Sequence, residues 1–274
     1  MSTIYLIPAV LQEDGIAAIP PGTTDAIKSC QVFFVENERT TRRYFKQLWK
    51  HSLPGEDIII DNYEWINLTE SDAEDLFRKK VNENKVIGIV SEAGCPGVAD
   101  PGQALIAIAQ AMNATVKPLV GPSSILLALM ASGMNGQQFK FNGYLPIDNG
   151  QRIKALKELE AESAKKDCTQ LFIETPYRNN QLIEAIQKNC HPDTRLCLAV
   201  DITGPGEWIK TGGWGGPSAL DGLFLAGRNL GRCPRLRWGA PLALERTSRP
   251  SCASPITLRH DGAPQWQGMS HVQE

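Results

Sequence analysis

The sequence predicts an α/β protein whose first unit is a mostly parallel sheet covered by helices on both faces. Three observations point to it. Over the first two hundred residues, short apolar runs alternate with stretches of helical period. The runs are apolar throughout, as strands buried on both faces should be. One of them, VIGIV (Val86 to Val90), leads straight into SEAGCPGVADPG, where three glycines and two prolines fall within twelve residues. Strand followed by dense backbone punctuation is how such sheets build the loops at their carboxyl edge.

In chain order, IYLIPAVL (Ile4 to Leu11) is the first strand and QVFFVE (Gln31 to Glu36) the second. IIID (Ile58 to Asp61) is expected as the third and KVIGIV (Lys85 to Val90) as the fourth. Between them, RTTRRYFKQLWK from Arg39 and SDAEDLFRKKVNEN, led in by Leu68, Thr69 and Glu70, have the amphipathic spacing of helices. ALIAIAQAMN (Ala104 to Asn113) is apolar enough for a buried helix, and TVKPLV (Thr115 to Val120) is the next strand. A second unit starts near Leu119. GPSSILLALMASG gives a turn and an apolar helix, FKFNGYLP (Phe139 to Pro146) a strand, and QRIKALKELEAESAKK (Gln151 to Lys166) a charged helix. TQLFIETPYR (Thr169 to Arg178) is a strand and turn, NQLIEAIQKN a helix and TRLCLAVDI (Thr194 to Ile202) a strand.

The formal net charge of −2 carries no nucleic-acid-scale basic field, although a local basic patch remains compatible with it. No apolar run approaches the roughly 18 residues that span a bilayer, so no membrane association is expected. MSTIYLIPAV lacks a basic stretch ahead of its apolar residues and reads as a strand, not a signal peptide. Seven scattered cysteines without CxxC spacing argue against a disulfide framework or zinc knuckle and fit a reducing cytoplasm. Four widely separated histidines make a metal site unexpected.

After Thr211 the composition changes. Residues 1–211 hold 14 Lys and 7 Arg, whereas residues 212–274 hold no Lys and 7 Arg, with 10 Gly and 6 Pro. This reading divides the chain into an N-terminal α/β domain over 1–118, an incomplete C-terminal α/β domain over 119–211, and an aberrant tail over 212–274. The tail is expected to be disordered or frame-shifted, with weak or absent activity as the consequence.

The loop SEAGCPGVADPG offers free N–H and C=O groups from a backbone that glycines open and prolines fix. It suits a cofactor with both hydrogen-bonding and cationic character. No GxxxxGK[ST] occurs and no GxGxxG follows a strand, so ATP and NAD have no positive support. Acids at or just beyond strand ends, Glu36, Asp100 and Glu174, can face such a cleft; Glu36 and Glu174 are the candidate proton acceptors, with solvation or a salt bridge as the alternative. Asp100, before Pro101, is also a candidate cap for the helix that follows. Arg39, Arg42 and Arg43 share one helix face and can clamp phosphate or remain a solvated face.

Six segments together resemble the tetrapyrrole methylase superfamily, and in particular its ribosomal small-subunit RNA ribose 2′-O-methyltransferase branch. They are IYLIPAVLQ, VENERTTRR, SEAGCPGVADPG, LVGPSSILLALMASG, FNGYLP and FIETPYR, in the family's order over roughly residues 3–210. Two departures imply a paralogue. Pro8 is followed by AVLQEDG rather than a P-x-x-x-G-N turn, and Glu92 and Cys95 stand where many relatives have Asp and Thr.

The resemblance implies two α/β domains, S-adenosylmethionine held between them largely by backbone groups, and a homodimer. By position it implies cofactor contacts at Leu6, Pro8, Glu92, Ala93, Gly94, Cys95, Pro96, Ser123, Ser124 and Ile173. It also implies substrate or interdomain binding at Arg178. The acceptor implied is the ribose 2′-oxygen of ribosomal RNA. A tetrapyrrole or other small molecule is the alternative within enzymes, and an inactive methylase-like binding protein or broken gene product is the alternative outside them.

Overall fold

A computed structural model of the chain describes residues 1–213 and 240–246. Its first unit runs β1 (Thr3–Ile7), α1 (Thr23–Ser29), β2 (Val32–Val35), α2 (Glu38–Ser52), β3 (Glu64–Asn67), α3 (Ala73–Asn82), β4 (Val86–Val90), α4 (Gln103–Ala111) and β5 (Thr115–Pro118). The five strands form one sheet in the order β3-β2-β4-β1-β5, and every pairing is parallel. β2 and β4 are buried almost throughout, which is why both read as unbroken apolar runs. One face packs Phe33, Phe45 and Trp49 with Ile27; the other packs Phe34, Phe77, Ile87 and Leu105.

The chain leaves β1 towards β2 and leaves β4 towards β5, the opposite way. A crevice therefore opens between the carboxyl ends of these neighbouring strands, where open parallel sheets bind ligands.

The expected strand at Ile58 to Asp61 is not one. Ile60–Asn62 is a 3₁₀ turn and the strand is Glu64–Asn67. Ile60 is buried in the core while Ile59 points out, so the apolar residues seal the rim of the core instead of pairing.

The second unit runs α5 (Ser124–Ser132), β6 (Phe139–Tyr144), α6 (Asn149–Lys166), β7 (Thr169–Glu174), a 3₁₀ turn (Pro176–Arg178), α7 (Asn179–Asn189), β8 (Arg195–Val200), β9 (Trp208–Gly212) and β10 (Ala240–Glu245). Its sheet is mixed, in the order β6-β7-β10-β8-β9, with only β6 and β7 parallel. The two-domain α/β architecture expected from the sequence is the one observed.

Part of residues 212–274 is also described. Within that stretch Ala240–Glu245 is a central strand, antiparallel to both neighbours, with Leu242↔Phe172 on one side and Leu242↔Leu198 on the other. Leu242 and Leu244 join the core of Leu156, Phe172 and Leu198, and the Arg246 N–H donates to Ser163 Oγ at 2.9 Å. A strand of six residues whose partners lie more than forty residues away leaves little local signal. Gly212 closes β9, and the remaining residues of that expected tail lie outside the described residues, apart from Gly213 and Arg246. Among the described residues no helix is long and apolar enough to cross a membrane.

Candidate functional site

A cavity of about 180 Å³ opens in the crevice, walled by the loops after β1, β2 and β4 and by the start of α5, with Ile173, Tyr144 and Asp201 from the second unit. Each wall has a local cause. After β2, Asn37 caps α2 by accepting the Thr40 N–H at 3.2 Å, which fixes Glu36 between strand end and helix. After β4, the chain folds back so that Gly94 and the β1 exit exchange hydrogen bonds: Ala9 N–H to Gly94 C=O at 2.8 Å, and Gly94 N–H to Ala9 C=O at 3.2 Å. Gly94 sits at φ +72°, in the left-handed region that favours glycine. Ser123 caps α5, accepting the Leu126 N–H at 3.5 Å, so the same residue ends the loop and faces the cavity.

The two acids of the loop are structural parts of it. The Glu92 N–H donates to Glu36 Oε1 at 3.0 Å, and Glu92 Oε1 accepts from Thr40 Oγ1 at 2.9 Å. Asp100 Oδ1 accepts the N–H of Gly102 at 2.6 Å and of Gly97 at 3.3 Å. Asp100 therefore shapes the loop, while Gly102 is the N-cap of α4 and no side chain caps it. Asp100 Oδ2 is buried without a protein partner.

Among the described residues, four carboxylates, Glu36, Glu92, Asp100 and Asp201, line the cavity, and no lysine or arginine does. Glu36 feels this most. Burial pushes its carboxyl up to about 7 and the charges of Asp100 and Glu92 add to the rise, against the lowering effect of the Glu92 N–H. The described lining is therefore acidic, with apolar and hydrogen-bonding parts. Burial also raises the Cys95 thiol, whose sulfur lies 3.5 Å from the Pro122 carbonyl, so it is a neutral filler and not a nucleophile.

No family model matches the chain. Curated relatives do: the chain is 34% identical over 126 residues to a ribosomal RNA small subunit methyltransferase I of Mesorhizobium japonicum, covering 46% of this chain and 42% of that protein. It is 26% identical over 207 residues to the same-named protein of Vibrio cholerae, covering 76% and 67%. The chain thus spans about half the length of the curated relatives it matches. Among solved structures, diphthine synthase superposes with a TM-score of 0.56 at 15% identity over 90% of this chain and 91% of that one. Uroporphyrin-III-C-methyltransferase from Thermus thermophilus does so at 0.51 and 16% identity over 89% and 94%. The chain has the tetrapyrrole-methylase fold.

Within that fold, nine of the residues singled out from sequence, Glu36, Glu92, Ala93, Gly94, Cys95, Asp100, Ser123, Ser124 and Ile173, line one cavity. Others do not reach it. Leu6 packs into the sheet core. Pro8 is buried so tightly against Gly121 that a Cβ there would lie 2.1 Å from it, and its carbonyl accepts the Tyr44 hydroxyl at 2.7 Å. Pro96 is buried within the loop and shapes it.

Glu174 is fully buried and away from the cavity. Its Oε1 accepts from the Thr175 N–H at 2.7 Å and meets Arg178 Nη2 at 2.6 Å, while Arg178 Nε donates to Thr175 Oγ1 at 3.1 Å. Glu174 and Arg178 thus hold each other and the turn after β7. Arg42 is engaged too, with Glu38 at 2.7 Å, with Asp61, and over the Trp65 ring at 5.8 Å. Arg43 pairs with Glu13 at 2.9 Å, and Arg39 is exposed.

Sequence reasoning missed Leu11, Gln12, Tyr144, Asp201 and Ile202 as lining residues. For Asp201 a signal existed, an acid directly after an apolar strand as at Glu36. Its backbone sits at φ +52° and its Oδ2 accepts the Gly206 N–H at 2.8 Å, fixing the turn into β9.

Proposed function

We propose that the chain is an S-adenosylmethionine-dependent methyltransferase that acts on ribosomal RNA as a ribose 2′-O-methylase. The observation that carries the donor is the cavity itself: it lies at the carboxyl ends of the parallel strands and presents, among the described residues, four carboxylates and no basic side chain. A sulfonium with an ammonium and a nucleoside fits that chemistry, and a phosphate-bearing nucleotide does not. Asp100 Oδ2, buried without a partner, is a further polar atom available to it. The names of the curated relatives support the RNA acceptor.

On this reading Ala93, Gly94 and Cys95 hold the donor through backbone groups, and Ser123 and Ser124 present the start of α5 to it. When bound, the donor supplies an electrophilic methyl carbon whose bond to sulfur breaks with the electron pair remaining on sulfur. The acceptor oxygen forms the new bond in line, so holding it in position supplies much of the rate. Glu36 takes the hydroxyl proton. A carboxyl raised to about 7 is matched to that work near neutral pH, being half in its basic form yet basic enough to accept. Glu174 keeps Arg178 and the β7 turn in place and touches the reaction only through them.

The function is tested by transfer of labelled methyl from S-adenosylmethionine to small ribosomal subunits taken from cells lacking the gene. Label in RNA at a ribose 2′-oxygen supports the reading; donor binding with no label in RNA would move the acceptor to a small molecule.

A homodimer is part of the proposal. Val120, at 80% exposure, and Met130, at 77%, stand out beside Leu126 on and next to α5, an apolar surface of the kind that interfaces cover. Light scattering on the purified chain reads the mass directly. A location in the cytoplasm agrees with free cysteines throughout the described residues and with a ribosomal substrate.

A further inference from the structure

A second cavity, of about 250 Å³, lies between the β1 exit loop and the first half of α2. Leu11, Gln12 and Glu92 line both it and the carboxylate-lined cavity, so the two share one wall. We propose that this second cavity is the acceptor chamber and takes one nucleotide of an RNA strand, with Arg43 holding its phosphate and Gln12 and Glu92 at the point of transfer. The inference rests on the methyltransferase reading and deepens it.

The geometry argues for it first. In-line transfer needs donor and acceptor on opposite sides of one opening, with reacting atoms about 3–3.5 Å apart at closest approach. The shared residues Leu11, Gln12 and Glu92 set the two cavities side by side, as that arrangement needs. Glu36, the proposed base, stands against the same wall, because its carboxylate accepts the Glu92 N–H.

The chemistry of the linings argues for it next. The first cavity is acidic. The second mixes neutral hydrogen-bonding groups, Gln12, Thr40 and Gln47, with the carboxylates Glu13 and Glu92 and with Arg43, the one cation among its described lining residues. Arg43 is held there only by Glu13, and both side chains are 54% exposed, so the pair is weak and a phosphate can displace the carboxylate.

The helix then continues the path outward. Arg39, Arg43 and Lys46 fall at i, i+4 and i+7 on the exposed face of α2, with a rise of about 6 Å per four residues. Arg39 and Lys46 carry no ion pair among the described residues, whereas Arg42 is committed to Glu38, Asp61 and Trp65. A row of exposed cations, Arg39 and Lys46 flanking the weakly paired Arg43, leads to a polar chamber and suits a single strand entering by its backbone and turning one nucleotide inward.

The test is photocrosslinking of the full chain to a single-stranded oligoribonucleotide carrying 4-thiouridine, with adducts mapped by peptide mass, alongside calorimetry with S-adenosylhomocysteine. Adducts on the peptides holding Val10 to Glu13 or Tyr44 to Gln47 are expected. Gln47→Trp, an exposed position whose new ring fills the chamber, should reduce those adducts by about tenfold while the S-adenosylhomocysteine affinity stays within about twofold. Arg43→Ala should weaken RNA binding without moving the donor affinity. Adducts confined to other surfaces, adducts unchanged by Gln47→Trp, or no RNA binding by a chain that binds the donor product would each overturn the chamber. Absence of donor binding with RNA still in the chamber would instead overturn the methyltransferase reading and leave the chamber standing.

Discussion

Glu36 and Glu174 are the same word in the sequence and different words in the structure. Each is an acid that ends an apolar strand and precedes a turn and a helix. Glu174 is 0% exposed, yet Arg178 and Thr175 answer its charge within its own turn. Glu36 is half-buried and faces Asp100 and Glu92, so its carboxyl rises to about 7. A strand-end acid becomes a strut where an arginine lies four residues on, and its carboxyl is raised where it is half-buried among acids. Burial alone does not decide between them; the sign of the neighbouring charge does.

The largest effect that can break this comparison is on catalysis. Glu36→Gln should lower kcat by about 10²–10⁴, the range for a lost general base, and the wild-type rate should rise with pH through about 7. A comparable loss from Glu174→Gln in a fully folded variant would erase the distinction. The next effect is on stability. Arg178→Met leaves Glu174 buried and unpaired, and urea unfolding should show a loss of about 3–5 kcal/mol.

The stability of Glu36 variants should go the other way, and pH sets the sign. A carboxyl raised in the folded state favours the protonated fold. Its contribution is full below the unfolded value and is lost as pH rises through about 7. Glu36→Gln should therefore raise the melting temperature at pH 8 and leave it nearly unchanged at pH 4. A lower melting temperature at pH 8 would mean that Glu36 is answered by a cation after all.

Glu92→Gln sharpens the account of the cavity's charge. It should weaken S-adenosylmethionine by about tenfold and its uncharged-sulfur product by less, because only the former carries the sulfonium. The smallest effect belongs to the surface. Arg42→Ala, although it breaks contacts to Glu38 and Asp61, should cost no more than about 1 kcal/mol.

Much of this was legible in the sequence, for identifiable reasons. β2 and β4 are buried on both faces and so are written as unbroken apolar runs. The loop after β4 must fold back onto Ala9, and that requirement is written in its glycines and prolines. β3 was misplaced because it is a half-exposed edge strand, and its apolar signal is weaker than that of the Ile58 to Ile60 run beside it. β10 was missed because its partners are remote. Its place in the sheet is set by Phe172 and Leu198, which no local pattern reveals.

The site divides in the same way. Residues carried by motifs, such as Gly94 and Ser123, were visible. Gln12 and Asp201 were not, since their roles come from loops that meet only after folding. The acids of the loop looked secondary to its glycines, yet Asp100 holds two of those glycines in place and Glu92 bonds to both Glu36 and Thr40.

The central claim is that the carboxylate-lined cavity at the carboxyl edge of the first sheet holds a cationic methyl donor. Calorimetric titration of S-adenosylmethionine into the wild-type chain and into Glu92→Gln tests it most directly. Saturable one-site binding to the wild type, weakened in the variant, is the result predicted. No binding to the folded wild type, or equal affinity for both proteins, would contradict it.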